Sequence, residues 1–358
     1  MHAWNDYYPV KVQTTGGVKE IGKLNPGDQL FEYRGPGLFT VEDIEASQVT
    51  ELFEVEYSDG RKAIYSRNDP IYLGMDKTIT PDEMFRGIKK FDSSAQLTFA
   101  EPLGSFEQQP IDYGIMSSPH NEYPDPYTAG VILTYASYDD EEIMLPQWTH
   151  KAHEFILSVR NYKYADKMGP NGEMSFAKQG RTDPVTWREM FPYQRFFAKS
   201  HHFADPLIPA GYQYGKINDR WEYMRGAFDA GFDPKIFIDR VGIAHTDEKR
   251  LQRLQQMMWS IGIMSIITYE PETCKDRPWI LTTAGELQRY PGIFYHPDYI
   301  AWALSRDNTI IDQQAPATMQ IVSIRYLTNG VLPNVVASNG WSHVFYDENF
   351  LPRVSKGL

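Results

Sequence analysis

Residues 10–30 read VKVQTTGGVKEIGKLNPGDQL, and this stretch decides how the first part of the chain folds. Apolar and polar residues alternate over 10–15, as in a half-buried strand, and the Gly-Gly pair that follows predicts a turn. The Pro-Gly pair at 26–27 predicts a second turn before a strand over 29–33. The stretch therefore predicts a β-rich unit of short strands joined by tight turns.

Both ends of the chain continue this β-rich pattern. Segments 50–57 and 62–65 flank an Asp-Gly pair, which predicts a β-hairpin. Near the other end, 319–326 and 331–337 predict strands separated by a turn at Asn329-Gly330. Both the first and the last part of the chain are thus expected to be rich in β-strands.

A short helix is predicted after the first strands. Thr80 stands at the N-cap, Pro81 at the first helical position, and Glu83 three residues after the cap. This arrangement is a capping box, in which hydroxyl and carboxylate each accept a backbone N–H at the start of the helix.

The middle of the chain changes to helical patterns. Segments 126–137 and 220–230 are apolar and of helix length, and 246–261 carries a regular apolar stripe that ends at a glycine. We therefore expect an α+β fold in which the two ends form one domain around an inserted middle domain. The predicted division is 1–110 with 286–358, and 111–285.

Composition excludes several classes of protein. The chain has 358 residues, 42% of them hydrophobic, with 23 Tyr, 19 Phe and 8 Trp, which argues against intrinsic disorder. It has no run of 18 apolar residues for a membrane span, and residues 1–8 do not resemble a signal peptide. The single cysteine, Cys274, excludes an internal disulfide framework and a cysteine-rich zinc site.

The charge balance argues against a nucleic-acid partner. The chain carries 35 Lys and Arg against 47 Asp and Glu, a formal net charge of −12. Residues 111–285 hold 19 basic and 23 acidic residues, so the middle segment is acidic too. Proteins that hold duplex DNA neutralise phosphates with clustered cations, so DNA binding is not expected here.

The motifs at both ends resemble the Hint domain of inteins. The stretch 10–30 resembles the first intein segment, and 66–70 (SRNDP) falls where inteins carry Thr-x-x-His-Pro, with Ser66 in place of the Thr. Residues 343–351 (HVFYDENFL) resemble the last intein segment, and the histidine of that segment is present here as His343. The resemblance implies a β-rich Hint-like domain built from both chain ends.

The middle segment resembles a LAGLIDADG homing endonuclease. Residues 127–137 (YTAGVILTYAS) and 223–232 (YMRGAFDAGF) are similar to the two motif helices of that family. The resemblance implies a pseudo-symmetric αββαββ domain. Its two helices would pack through small residues, Gly130 against Gly226 and Ala230.

The endonuclease positions depart from the family pattern. In active members each motif helix ends in a carboxylate that holds a divalent metal, and the metal activates water. The motif glycines place these acids at Tyr135 and Gly231, neither of which can ligate Mg²⁺ as a carboxylate does. The resemblance therefore predicts no metal and no cofactor. A displaced pair of acids remains an alternative, drawn from Asp139, Asp140, Asp229 and Asp233.

The splicing positions depart as well. Residues 4–8 contain no Cys or Ser to act as the first nucleophile, and Asp69 stands where the assisting histidine is expected. The terminal His-Asn pair falls at about Arg353-Val354, so the cyclising asparagine is missing. Neither covalent step of splicing is then expected to proceed.

These observations predict a protein that has lost both activities. We expect an intein-like and endonuclease-like scaffold that serves as a structural or protein-binding component of a larger assembly. The resemblance suggests a phage virion or tail, so the expected location is the host cytoplasm or the virion. The alternatives are a Mg²⁺-dependent LAGLIDADG endonuclease with displaced acids and a DNA-binding regulator.

Overall fold

The computed structural model describes most of the chain. The described residues are 8–33, 37–46, 48–74, 77–90, 111–113, 124–139, 142–145, 161–168, 173–191, 208, 210–230, 235–236, 240–272, 275–283, 294–304, 319–338 and 343–355. Over these residues the fold is mixed and rich in strands, which agrees with the predicted α+β class.

The elements follow in chain order. The first part contains β1 (Lys11–Thr14), β2 (Gly17–Glu20), β3 (Gln29–Phe31), β4 (Leu38–Ala46), β5 (Thr50–Tyr57), β6 (Lys62–Ser66), β7 (Ile71–Gly74), β8 (Lys77–Ile79) and α1 (Pro81–Lys90). The middle part contains α2 (Pro126–Tyr135), β9 (Ser137–Asp139), β10 (Glu142–Leu145), β11 (Tyr162–Met168), β12 (Met174–Lys178), α3 (Trp187–Met190), α4 (Ala210–Gln213), α5 (Ile217–Asp229), β13 (Lys235–Ile236), β14 (Val241–His245), α6 (Glu248–Ser260), β15 (Ser265–Tyr269), β16 (Trp279–Thr283) and α7 (Pro297–Leu304). The last part contains β17 (Ile321–Gly330), β18 (Pro333–Ser338), β19 (Val344–Tyr346) and β20 (Pro352–Val354).

The chain divides into two compact units. The terminal unit comprises Met1–Ile111 and Gln313–Leu358, and the middle unit comprises Asp112–Asp312. The first boundary lies next to the predicted one, but the second falls at 312 instead of 285. The reason is α7, whose Tyr299 and Trp302 lie in the core of the middle unit.

The terminal unit is built from antiparallel strands contributed by both chain ends. A five-stranded sheet has the order β18-β4-β3-β1-β2, and a three-stranded sheet has the order β17-β5-β6. In each sheet a strand from the last part of the chain pairs with one from the first part: β18 with β4, and β17 with β5. Val12, Leu30, Phe39 and Val335 belong to the core of this unit.

Local predictions for this unit have different outcomes. The capping box is confirmed, because Glu83 Oε2 accepts the Thr80 N–H at 2.8 Å and Thr80 Oγ1 accepts the Glu83 N–H at 3.2 Å. The predicted turn at Asn329-Gly330 is wrong. Both residues belong to β17, where they pair with Glu51 and Thr50 of β5, because the long partner strand keeps the backbone extended.

The middle unit contains two four-stranded antiparallel sheets with the same strand order. In chain order the strands of each sheet lie first, second, fourth, third: β9-β10-β12-β11 and β13-β14-β16-β15. A mostly buried helix, α2 or α5, precedes each sheet. Helix α2 ends two residues earlier than the sequence predicts, because Ala136 adopts an extended backbone before β9. Among the described residues, no helix is long and apolar enough to cross a bilayer.

Candidate functional site

Helices α2 and α5 pack side by side through their glycines. A Cβ added at Gly130 would lie 2.1 Å from the Tyr223 carbonyl oxygen, and one added at Gly226 would lie 2.0 Å from the Tyr127 carbonyl oxygen. Neither position has room for a side chain, so the two backbones approach as closely as glycine allows. Ala230 is buried just after α5 and donates its N–H to the Gly226 carbonyl oxygen.

Tyr135 is the last residue of α2 and is only 7% exposed. Burial raises the pKa of its hydroxyl well above the usual value, and the positive charge of Arg277 opposes that rise. Its ring centroid lies 5.6 Å from that of His245. Gly231, the other position at which the family carries a metal-binding acid, lies outside the described residues.

His245 is a neutral imidazole whose tautomer follows from its contacts. Its Nδ1 accepts the backbone N–H of Asp247 at 2.8 Å, so Nε2 carries the hydrogen and donates it to the Thr134 carbonyl oxygen at 2.8 Å. Burial, reinforced by the charge of Arg250, lowers the pKa of His245 to about 4. The ring therefore stays uncharged near neutral pH.

Arg250 covers the same end of α2. Its Nη1 donates to the carbonyl oxygens of Thr134 at 2.9 Å and of Ala136 at 3.2 Å. A cation at a helix C-terminus complements the helix dipole and satisfies its last carbonyls. Arg277 also influences the pKa of Tyr135, and Asp247 Oδ2 lies 3.9 Å from Arg250 Nε, so this end of the helix carries charges of both signs.

This end of α2 does not fit a divalent metal. Mg²⁺ takes oxygen ligands, above all carboxylates, whereas the residues here supply a buried phenol, a neutral imidazole and guanidinium groups. The one described carboxylate here, Asp247, accepts the Lys249 N–H at 2.9 Å and lies 3.9 Å from Arg250. Within the described residues, no three His, Cys, Asp or Glu side chains come together as ligands. Asp139 lies in β9 opposite Glu142, and two other candidates lie outside the described residues: Asp140 and Asp233.

Asp229, near the end of α5, uses both carboxylate oxygens inside the protein. Oδ1 accepts the backbone N–H groups of Tyr295 at 2.9 Å and His296 at 2.8 Å, and Oδ2 accepts the Tyr127 hydroxyl at 3.2 Å. Burial raises the pKa of Asp229 to about 7, while these donors act to lower it. The carboxylate thus ties α5 to the start of α7.

The side of the second sheet away from its core carries one described cation, Lys235, which pairs with Gly242. Ile243 and Leu281 face the core, so the alternate residues of these strands face the other way. A surface that covers DNA phosphates needs Lys and Arg. The other described residues on that side are uncharged, and most of them are buried: Gly242, Ala244, Ile266, Thr268, Ile280 and Thr282.

In the terminal unit, Ser66 and Asp69 form a closed turn at the end of β6. The Ser66 N–H donates to Asp69 Oδ2 at 2.9 Å, and the Asp69 N–H donates to the Ser66 carbonyl oxygen at 3.1 Å. Asp69 therefore stabilises its own turn. It also contributes, after burial and Arg353, to the pKa of Tyr65, which is raised to about 12.

The hairpin β19–β20 carries the residues predicted for the terminal splicing positions. Arg353 is buried, lies 5.0 Å from the Tyr65 ring centroid and donates to the Ile64 carbonyl oxygen. Val354 pairs with Val344 across the hairpin. Arg353 is thus brought to the strand that ends at Ser66.

His343 lies at the other side of this hairpin and contributes only its backbone. Its carbonyl oxygen accepts the Ser355 N–H at 2.7 Å and the Ser355 hydroxyl at 3.1 Å. Its φ of 51° is left-handed, as befits a turn. No described contact joins its imidazole to Arg353 or Asp69.

Buried charges that the sequence reasoning missed fix this hairpin in place. Arg61 forms an ion pair with Asp59 at 2.6 Å and donates to the Asn349 carbonyl oxygen at 3.2 Å. Asp347 Oδ1 accepts the N–H groups of Asn349 at 2.8 Å and Leu351 at 2.9 Å. Burial raises the pKa of Asp347 to about 7. The sequence signal for Asp347 is weak: it is one of two adjacent acids that stand between Tyr346 and Phe350.

Comparisons with known proteins include a weak similarity to a solved structure. No protein-family model matches the chain, and no curated protein matches it. Among solved structures, the crystal structure of the gp41-1 intein is similar over 21% of this chain and 56% of that chain. The sequence identity there is 20% and the TM-score is 0.19.

Proposed function

We propose that the chain is a Hint-type β unit with an inserted LAGLIDADG-like unit that lacks both splicing and cleavage activity. In this proposal it serves as a structural or protein-binding component of a larger assembly. The identical strand order of the two middle sheets, each preceded by a helix, supports the inserted unit. So does the close approach of α2 and α5 at Gly130 and Gly226.

The observation that carries the proposal is the end of α2. A metal-dependent nuclease needs a carboxylate at this position to hold a divalent cation beside the scissile phosphate. The position holds the buried Tyr135, and both Arg250 and the neutral His245 donate hydrogen bonds to the Thr134 carbonyl oxygen at the end of the helix. The described carboxylate nearby, Asp247, already accepts the Lys249 N–H and lies 3.9 Å from Arg250, so we infer that the endonuclease chemistry has been lost.

The alternative with displaced acids finds little support in Asp229. Its two oxygens already accept hydrogen bonds from Tyr127, Tyr295 and His296. Moving the carboxylate to a metal would leave the N–H groups of 295 and 296 without this acceptor, and the loss at the buried N–H of 296 alone costs about 1–3 kcal/mol. This favours a structural role for Asp229.

The alternative of a DNA-binding regulator is disfavoured by charge. The middle segment is acidic, with 19 basic and 23 acidic residues over 111–285. Because affinity for duplex DNA comes largely from phosphate contacts made by cations, a segment of this charge would bind it poorly.

Loss of splicing is inferred from side-chain chemistry at the hairpin. Splicing ends when an asparagine side chain attacks the backbone, and neither Arg353 nor Val354 has a carboxamide. The guanidinium group of Arg353 instead lies over the Tyr65 ring in the interior of the terminal unit. The hairpin would then serve only to close the terminal unit.

A nicking assay tests the loss of cleavage. Purified protein is incubated with supercoiled plasmid with and without Mg²⁺, beside the Tyr135→Asp variant, which returns one acid. We expect no nicking by either protein, because the surrounding cations and the low DNA affinity remain. Mg²⁺-dependent nicking by the unaltered chain would overturn the proposal.

A sedimentation experiment tests the role in an assembly. The tagged chain is expressed in its native source and separated on a density gradient. We expect it to migrate with a defined set of proteins at fixed ratio, far beyond its own mass of 41.3 kDa. Migration of all the protein as free chain would contradict a structural role, whether or not nicking is absent.

A further inference from the structure

Strand β15 forms an open edge of the second middle sheet. It pairs antiparallel with β16 on one side, and no described strand pairs with its other side. Its sequence from Ser265 to Tyr269, SIITY, holds no charged residue and no proline, and its pairing with β16 has no register shift. Charges, prolines and bulges are the features that keep other strands off a sheet edge, so β15 lacks the usual protection.

The equivalent edge of the first middle sheet is protected. Strand β11 takes the same place in the strand order there, and it contains Lys163, Asp166 and Lys167. Its pairing with β12 also shifts register between Tyr164 and Met168. The open edge is therefore a property of β15 and does not follow from the strand order that the two sheets share.

The pairing of β15 with β16 shows which backbone groups the edge presents. In an antiparallel pair, facing residues alternate between those that exchange hydrogen bonds and those that do not. The Glu270 N–H donates to the Pro278 carbonyl oxygen at 2.7 Å, directly after the paired part of the strand. By this alternation the backbone groups of Ile266 and Thr268 also point to β16, and those of the residues between them point to the open side.

Two residues offer free backbone groups on the open side. The N–H and carbonyl groups of Ser265, Ile267 and Tyr269 point away from β16, but Gln255 Nε2 of α6 already donates to the Ser265 carbonyl oxygen at 2.9 Å. Among the described residues, none bonds to the backbone of Ile267 or Tyr269 on that side. The edge is thus short, with an N–H and a carbonyl on each of two residues, and Tyr269 at its end is 56% exposed.

We propose that this edge binds an extended, positively charged segment of a partner protein, which adds to the sheet as a strand beside β15. Strand addition is a general mode of peptide recognition, in which main-chain hydrogen bonds hold the segment and side chains set the specificity. The proposal names the kind of partner for the protein-binding role proposed above and rests on that role.

Charge selects a cationic segment. The chain carries a net charge of −12, so an acidic partner or a second copy would be repelled. At the end of β15, Glu270 lies on the same side of the strand as Thr268, whose hydroxyl it accepts at 3.2 Å, and Glu272 is exposed. The turn to β16 holds three acids and two cations, and one of these cations, Arg277, acts on the pKa of Tyr135 and so lies towards α2. A Lys or Arg of the partner would therefore meet acids at this end of the edge.

The short edge sets a weak affinity. A stable protein interface buries about 800 Å² on each partner, and this edge is far smaller. A single segment is therefore expected to bind with a dissociation constant of about 0.1–1 mM. Within an assembly, other contacts with the same partner would raise the effective concentration of the segment and hold it at the edge.

Three blocked, fluorescein-labelled peptides test the edge by fluorescence anisotropy with the full chain. The first has alternating valine and threonine between two terminal lysines, the second has glutamate in place of both lysines, and the third keeps the lysines but is N-methylated at its three central residues. The first should bind in the range given above. The second would meet like charge and the third lacks the central N–H donors, so each should bind more weakly by at least about fivefold.

Variants of the chain locate the bound peptide. Tyr269→Pro removes an N–H that the edge offers, at a position where β15 makes no bond to β16, and Tyr269→Ala is its matched control because it keeps that N–H. Glu272→Lys reverses a charge beside the edge, and Glu42→Lys makes the same change at an exposed position of the terminal unit. Tyr269→Pro should bind the lysine peptide about fivefold more weakly than Tyr269→Ala, and Glu272→Lys about threefold more weakly than Glu42→Lys. Circular dichroism melting checks that each variant is folded.

Several results would overturn the proposal. These are no saturable binding of the lysine peptide with the chain at up to about 1 mM, equal binding of all three peptides, or a Glu272→Lys variant that binds as well as Glu42→Lys. The outcome is separate from that of the density gradient. A chain that migrates in an assembly but fails the peptide test contradicts the edge proposal alone, whereas a chain that binds the peptide and migrates free contradicts the role in an assembly.

Discussion

The contact between α2 and α5 predicts that even one methyl group at Gly226 destabilises the middle unit. In Gly226→Ala the new Cβ would lie 2.0 Å from the Tyr127 carbonyl oxygen and 3.1 Å from the Tyr127 Cα, both backbone atoms that cannot rotate away. The helices must separate by about 1 Å to reach ordinary contact distance, and interiors packed at crystal density transmit such a shift.

Two opposing effects set the magnitude. Overpacking of a core costs about 1–3 kcal/mol, and the rigid backbone contact places this site at the upper end. Alanine in place of a helical glycine returns about 1 kcal/mol through helix propensity. We therefore expect a net loss of about 2 kcal/mol in the free energy of unfolding. Gly226→Leu should cost more, because it adds three further carbons to the same contact.

Urea unfolding followed by tryptophan fluorescence measures this loss. Six of the eight tryptophans lie in the middle unit, so the signal reports chiefly on that unit. Gly16→Ala is the control: a Cβ there meets nothing closer than 3.7 Å, and its effect should stay within about 0.5 kcal/mol. A Gly226→Ala midpoint equal to that of the unaltered chain would refute the close approach of the two helices.

Four further predictions concern the buried polar groups and the splicing positions. Asp229→Asn should lower the free energy of unfolding by about 1–3 kcal/mol in urea titrations, because an amide NH₂ would face the N–H group of Tyr295 or His296. An unchanged midpoint would contradict the role of Asp229 in holding α5 to the start of α7. Folding raises the pKa of Asp347 from 3.8 to about 7, so the folded chain holds the proton more tightly than the unfolded chain. The stabilisation from the protonated side chain is therefore fully present below pH 3.8 and is lost as the pH rises through 7. Asp347→Asn should therefore flatten the fall in urea midpoint over that window, and an identical pH profile in both proteins would count against it. His245 should show a neutral imidazole with its hydrogen on Nε2 in nitrogen NMR spectra down to about pH 5, and titration near pH 6.5 would contradict its burial. The chain placed between two reporter proteins should yield no ligated product, and a product of the joined mass on a denaturing gel would show that splicing persists.

Local patterns in the sequence determine most of the secondary structure. The capping box at Thr80 and Glu83 depends on residues three apart, and the structure confirms it. The strand over Thr50–Tyr57 agrees with its prediction for the same reason. The turn predicted at Asn329-Gly330 is wrong because β5 holds these residues in an extended strand. Tertiary pairing overrides a local conformational preference worth about 1 kcal/mol.

The roles of the site residues were decided by tertiary structure. The sequence marked Gly130 and Gly226 through their motif-like spacing, but only the structure shows that each meets a backbone carbonyl of the other helix. Nothing in the sequence predicts that His245 and Arg250 cover the end of α2, because they lie more than 100 residues from it. The reason is physical: a helix or turn needs neighbours within four residues, whereas burial of a charged group depends on whichever distant segments supply its partners.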